Sequence, residues 1–461
     1  MKPSRFGGER GAITIHVAIA LIAMLAFVSF VADYGLMWVS RRQAQNAADA
    51  AALAGAIALV HEGSNAAAKL SAAQLVSENP VFGVGNSAAS GGNVDIDVSG
   101  TGPGEISLPP CGTNKGCVRV DVLRGLPGHD DPTGPARGAL LPTFFRQIVG
   151  ISGQAVRATA TAQTANGNGI RCLLPFAVID RWADNYDENV DTTYFTNDGL
   201  TGTAGWTQND IFQPATLSPP HTDVYIAPYG NNPNHTGWRV NVDFGRQLIL
   251  KSGSNGLYST GWASEVDLPN STGSNDYEWN IENCNPQGIG LATAADTCPA
   301  VDWTHGCISI KTGISQGPTT QGIGDFTRGV VSQDSGAHWN RTYAGVAPPG
   351  LSGAVVNGSG ALDMSSPRIR PIAVIDINAY ISQPCNGGTT CIGKVANIIG
   401  FFVEGMCNDV TAGNGLDNGN TCPNPSKDVV GRIVTLPGTF ATGVGTVDDS
   451  ASFIKVIRLV R

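Results

Sequence analysis

Residues 12–32, AITIHVAIALIAMLAFVSFVA, contain no Asp, Glu, Lys or Arg. As a helix these 21 residues would extend roughly 31 Å, close to a bilayer core of about 30 Å. A cleavable signal peptide has an apolar stretch of only about 7–15 residues, so an uncleaved signal-anchor is expected. Lys2, Arg5 and Arg10 precede the span and Arg41 and Arg42 follow it, a balance that leans towards a cytoplasmic N-terminus. His16 lies within the span but only about one and a half turns from Arg10, which places it near the interface.

The ten cysteines carry the topology further. Cys111 and Cys117, Cys385 and Cys391, and Cys407 and Cys422 lie close in sequence, and none has CxxC spacing. Zinc and thioredoxin-type readings are therefore poor, and disulfides are the better reading. Cys172, Cys284, Cys298 and Cys307 would form two more pairs in one of three connectivities. Disulfides need an oxidising compartment, so the bulk of the chain is expected to face the periplasm or the outside. The net charge of −9 and the lack of a Lys/Arg run argue against a nucleic-acid partner.

No proline interrupts residues 12–60, so one helix of roughly 70 Å is expected. Beyond the span, Ala44, Ala47, Ala48, Ala51, Ala54, Gly55 and Ala58 recur at the spacing of one helix face. Alanine buries little apolar area, so such a face is a weak hydrophobic anchor. Its advantage is distance, because short side chains let a neighbouring backbone approach to about 8 Å. The partner of this packing face is either the chain's own sheet or another subunit.

The order of features is specific: a Gly-Ala opening, the apolar span, Asp33, an aromatic, the Arg41–Arg42 pair, Gln45, Asn46, then AADAAALAGA. This segment resembles the N-terminal part of the TadG-like family of Tad (Flp-type) pilus-assembly proteins. The resemblance implies a non-catalytic membrane component of a pilus-assembly or secretion system. Its implied partners are the membrane, other assembly or secretion subunits, and a second copy of the chain. One departure separates the chain from pilin-like relatives. Cutting after Gly11 would put His16 where a prepilin peptidase expects Glu, which speaks against processing and against a major pilin. PTFFRQIVGIS and KTGISQGPTTQGIGDF also look like segments of Tad-type proteins.

A second Ala-rich helix is expected at about residues 65–78, followed by period-two alternation in NVDIDVS, VRVDV and AVRATATAQ. LPTFFRQIVG reads as a short helix with Pro142 in its first turn and Gly150 at its cap. Helix followed by a small antiparallel sheet resembles a pilin-like α+β unit, ending near ANGNG at 165–169. From about residue 170 short strand candidates dominate: FAVID, DVYIAPY, WRVNVDF, CISIK, IAVIDINAYI, KVANIIGFFVEG, GRIVTL and FIKVIRLV. PFAVID (175–180) and PIAVID (371–376) echo one another, and two such strands could pair centrally. The expected fold class is α+β: transmembrane helix, long Ala-rich helix, small pilin-like antiparallel sheet, then a mainly β disulfide-stapled domain. The expected divisions are 1–11 cytoplasmic, 12–32 transmembrane, 33–165 the α+β domain and 170–461 the β domain.

No catalytic or metal site is expected. GISQG (313–317) matches the GxSxG elbow, but Pro318 and Gly322 speak against the following helix that an elbow needs. The DxSxS metal motif that some large TadG-type proteins carry is not met: DMSSP has Pro at its last position and DIDVS fails in the middle. No HExxH pair or P-loop is present. DNYDENVD and NDVTAGNGLDNGN gather oxygens of the kind calcium uses without EF-hand order, which leaves calcium as the one cofactor open. A second function is a binding module or adhesin, with glycan or protein recognised through Trp182, Trp206, Trp238, Trp262, Trp279, Trp303 and Trp339. A GxSxG serine hydrolase is the remaining alternative.

Overall fold

The computed structural model describes residues 9–460 except 63–64, 83–104, 112–114, 128–132, 134–135, 138, 145–146, 148–149, 151, 184–210, 213–222, 231, 253–257, 270, 272, 312, 326, 344–346, 348–350, 383–390, 411–415, 418–421, 423, 425 and 439–446. Helix α1 (Glu9–Glu62) is one uninterrupted element of 54 residues, about 81 Å long. Helix α2 (Asn65–Glu78) folds back along its C-terminal half.

Against these helices lies a sheet led by β1 (Lys115–Arg124) and β2 (Val156–Asn166), antiparallel over their length from Lys115↔Ala165 to Arg124↔Val156. Their alternation has the expected cause. Val118, Val120, Val122, Val156, Ala158, Ala160 and Ala162 face the helices and are buried, while Arg119 and Arg157 look outward. Asp121 shares the outer face but is shielded, because Arg119 (3.2 Å) and Arg157 (3.1 Å) close over it. NVDIDVS lies outside the described residues.

The remaining chain forms a closed β structure. Its strands are β3 (Phe176–Ile179), β4 (Gln247–Ser252), β5 (Trp262–Glu265), β6 (Cys307–Ile310), β7 (Ile369–Ile375), β8 (Cys391–Met406) and β9 (Val429–Val434). β7 pairs antiparallel with β8, β8 with β9 and β9 with β4. β4 pairs parallel with β5, β5 antiparallel with β3, and β3 parallel with β7, which completes a ring of six. β6 adds to the first residues of β8. The strand β8, 16 residues long, closes the ring because different stretches of it serve β6, β7 and β9. All seven residues of β7 are buried, as a strand covered on both faces requires.

The echoed strands are neighbours in equivalent register: Ala177↔Ala373, Val178↔Val374 and Ile179↔Ile375. Five expectations change. WRVNVDF is not a strand; it contains the helical turn Val240–Asp243, where Asp243 accepts from the Arg239 backbone N–H at 2.8 Å. Among the described residues DVYIAPY contributes only the Val224↔Ala183 bridge. IAVIDINAYI is a strand that turns at Asp376 into the helix Ile377–Ser382. Pro142 does not open a helix; Leu141–Pro142 pairs with Gly153–Gln154, and much of 145–149 lies outside the described residues.

The fifth concerns the division at 165–170. After β9 come β10 (Leu436–Gly438) and β11 (Ile454–Val460), and β11 pairs antiparallel with β2, from Lys455↔Asn166 to Val460↔Thr161. FIKVIRLV therefore completes the first sheet, and the β domain is an excursion from it rather than a segment running to the end. Described cystines are Cys111–Cys117, Cys172–Cys284, Cys298–Cys307 and Cys407–Cys422. Cys391 is also disulfide-bonded, and Cys385 lies outside the described residues.

Candidate functional site: the anchor helix

The large apolar side chains of α1 from Ile13 to Val31 are between 51% and 68% exposed, so nothing among the described residues covers them. Among the described residues this is the one helix long and apolar enough to cross a membrane. The cover begins sharply at Asp33, which is buried and accepts the Phe144 backbone N–H at 2.6 Å. Tyr34 and Trp38 then project outward, and the Arg42 guanidinium sits 4.6 Å from the Trp38 ring. Aromatic and basic side chains at this point are the usual furniture of a membrane interface.

Past Ser40 the helix is buried by its own chain. Ala44, Ala47, Ala48, Ala51, Gly55 and Ala58 are buried, and Ala54 is half-buried. Their cover is α2 on one side and β1 and β2 on the other. Ala52 and Ala56 are fully buried too, because two partners, not one, flank the helix and widen the stripe. At Gly55 the approach is closest: a Cβ there would lie 2.7 Å from Val118 Cγ1, 3.0 Å from the Ala68 carbonyl oxygen and 3.2 Å from Ala72 Cβ. Gln45 Nε2 ties the helix to the Thr159 carbonyl at 3.3 Å, and Gln43 Oε1 accepts the Phe82 N–H at 2.9 Å. Of the two partners open for the alanine face, the chain's own sheet and second helix occupy it.

The exposed span, the boundary at Asp33 and the small-residue face all fall in one segment. Residues 11–58 match the family described as putative Flp pilus-assembly TadE/G-like. Helix α1 is similar to that family over this stretch. No curated protein and no solved structure matches the chain. The match ends before α2, so the similarity lies within α1, and the closed β structure lies wholly beyond it.

The candidate chemistry outside this segment resolves into structural bonds. GISQG does stand between a strand and a helix, β6 and Gln316–Gly324. Pro318 is tolerated because it lies in the first turn, where its missing N–H had no intrahelical partner. Yet Ser315 Oγ donates to Glu265 Oε2 at 2.6 Å, and Lys311 Nζ holds the other oxygen at 3.1 Å. His305 is bonded to Asp302 at 2.7 Å and His338 to the Gly336 carbonyl at 3.1 Å, so neither is bonded to Ser315. DNYDENVD lies wholly outside the described residues, as does much of NDVTAGNGLDNGN. Within the latter, Asp417 bonds Arg432 at 2.9 and 3.0 Å. Of the tryptophans, Trp182, Trp238, Trp262 and Trp339 are core residues, Trp303 is partly buried and Trp206 is not described.

The strand echo ends in two carboxylates. Asp180 is fully buried; Oδ1 accepts from the Arg181 and Trp238 N–H groups at 2.9 and 3.0 Å, and Oδ2 from Tyr225 Oη at 3.0 Å. Burial, with Asp376 nearby, pushes Asp180 up to about 7. Gly237 packs so close that a Cβ would collide with the carboxylate. Asp376 accepts from Tyr229 Oη at 3.2 Å and caps the helix Ile377–Ser382 through the Ala379 N–H at 2.9 Å. Sequence reasoning saw the strands but not this buried network, whose tyrosines come from a region that looked like a strand.

Proposed function

We propose that the chain is a non-catalytic, single-pass component of a Tad/Flp-type pilus-assembly or secretion system. Its N-terminus is cytoplasmic in the inner membrane and its bulk is periplasmic or extracellular. The observation that carries the reading is the abrupt change along α1, from an uncovered apolar cylinder to a face clasped by α2 and the sheet, within the TadE/G-like match. The helix is thus both anchor and structural spine. Since its small-residue face is occupied, contacts with other subunits would use the outer sheet face or the β structure. The test is complementation of a deletion strain by the full chain and by a chain lacking residues 12–32, with pili counted by electron microscopy. The full chain restores pili and the truncated one does not; normal pili in the deletion strain would remove the proposal.

A second reading, a binding module, is favoured by one feature. Trp279 is 50% exposed and borders a cavity of about 390 Å³ with Asp276, Asn280, Asn285 and Gln287 on its wall. An open indole beside amides suits a sugar ring, which offers an apolar face and hydroxyls. A glycan screen comparing the full chain with Trp279→Ala tests it: binding lost in the variant supports the reading, and no binding by the native chain removes it.

A further inference from the structure

A buried guanidinium faces a cavity with no acid bonded to it among the described residues. Arg370, second residue of β7, is 7% exposed. Its Nε donates to the Cys172 carbonyl at 3.3 Å and its Nη2 to the Asn283 carbonyl at 2.7 Å. One acceptor belongs to a half of the Cys172–Cys284 cystine and the other adjoins the second half, so the covalent link sets their spacing. Two other buried guanidiniums have acids: Arg181 has Asp243 at 3.1 Å, and Arg432 has Glu404 at 2.8 Å and Asp417 at 2.9 Å. Arg124 and Arg368 are, like Arg370, held by backbone carbonyls, but of these three it is Arg370 that lines the cavity. Among the described residues Arg370 bonds carbonyls alone, and burial pulls it down to about 10. A cation removed from water without a counter-ion is costly, and neutral carbonyls answer only part of that cost.

The cavity it borders has a volume of about 750 Å³. Ile170, Met364, Ile369 and Leu436 supply apolar wall, and the exposed Arg171 adds a second positive charge. Glu282, the wall's carboxylate among the described residues, lies 3.9 Å from Arg328 instead. Volumes of about 300–1,000 Å³ are those of small-ligand sites, large enough for a peptide end or a medium-chain acid and too small for a folded element. A planar guanidinium clamped on one side offers its remaining N–H groups as a fork for two carboxylate oxygens.

We propose that this cavity binds a carboxylate carried on an apolar stem, held by Arg370 with Arg171 beside it. The inference stands independently of the pilus reading. A free peptide C-terminus and a fatty acid share this chemistry. The experiment is isothermal titration of the full chain in lipid nanodiscs, with empty nanodiscs subtracted. The probes are N-acetyl-leucylphenylalanine, octanoate and the amide of each. At least one acid binds, and its amide binds at least about tenfold more weakly, the loss of one charge-assisted pair of hydrogen bonds. Preference for the peptide acid identifies a chain terminus as the source, preference for octanoate a lipid-derived acid, and binding of both the shared group alone. Arg370→Gln abolishes the difference between acid and amide. Met364→Trp, a loop substitution that fills the cavity and leaves the guanidinium clamp intact, abolishes binding even if Arg370→Gln fails to fold. Equal binding of acid and amide, no binding of either acid at millimolar concentration, or binding that survives Met364→Trp would overturn the proposal and leave Arg370 as a structural clamp.

Discussion

Asp180→Asn isolates the pH dependence of the buried end of the strand echo. The ordinary carboxyl value of 3.8 rises to about 7 in the fold, chiefly through burial. Below pH ~4 the carboxyl is protonated in both folded and unfolded chains, and asparagine is its near-isostere. The backbone donors of Arg181 and Trp238 keep their acceptor, and Tyr225 can accept from the new amide instead of donating. As pH rises from 4 to 7, the unfolded chain loses a proton that the folded chain keeps, so the native protein loses stability relative to the variant. A shift of about three units corresponds to roughly 4 kcal/mol, with a slope of about 1.4 kcal/mol per pH unit. Urea unfolding of the full chain in detergent, followed by tryptophan fluorescence between pH 3.5 and 8, measures the difference. The variant should match the native chain near pH 4 and exceed it by roughly 4 kcal/mol above pH 7. Stability curves that stay parallel across this range would mean that Asp180 is already ionised in the fold, and the reasoning fails.

Ala51→Leu forces extra methylenes between α1, α2 and the sheet, and should cost about 1–3 kcal/mol. It should raise protease sensitivity around residues 33–62 while the β structure keeps its fluorescence spectrum. Replacing Cys172 and Cys284 together by Ser removes a link across 112 residues; the chain-entropy model gives a loss of about 5 kcal/mol, seen as a lower Tm by calorimetry. Arg432→Met leaves Glu404 buried with only Gln247 Nε2 at 2.7 Å, so urea unfolding should show a loss of about 3–5 kcal/mol.

The helix and its neighbouring strands were legible because local pattern determines them. A 21-residue charge-free run has few other fates, and Val118, Val120 and Val122 alternate with Arg119 and Asp121 as a half-covered strand must. The register of the two echoed strands followed once they were taken as neighbours. What pattern could not supply was non-local. Nothing in GKVANIIGFFVEGM says that one strand will serve three partners and close a ring, and nothing in FIKVIRLV points 290 or so residues back to β2. The helix after GISQG was missed because Pro318 and Gly322 read as breakers. Pro318 sits where no N–H is needed, and Gly322 lies against Ile281, whose Cβ would be 2.8 Å from an added Cβ. Arg370 was invisible because its acceptors are 198 and 87 residues away.

The central claim is that one helix is bare where the membrane would be and covered by its own chain immediately beyond. Single cysteines introduced at Ile57 and Ala51 test it most directly in isolated membranes, since the described residues contain no free cysteine. Ile57 is 46% exposed and Ala51 is fully buried. A water-soluble maleimide should label Ile57→Cys rapidly and Ala51→Cys only after denaturation. Equal labelling at the two positions in the native state would show the alanine face open and contradict the account.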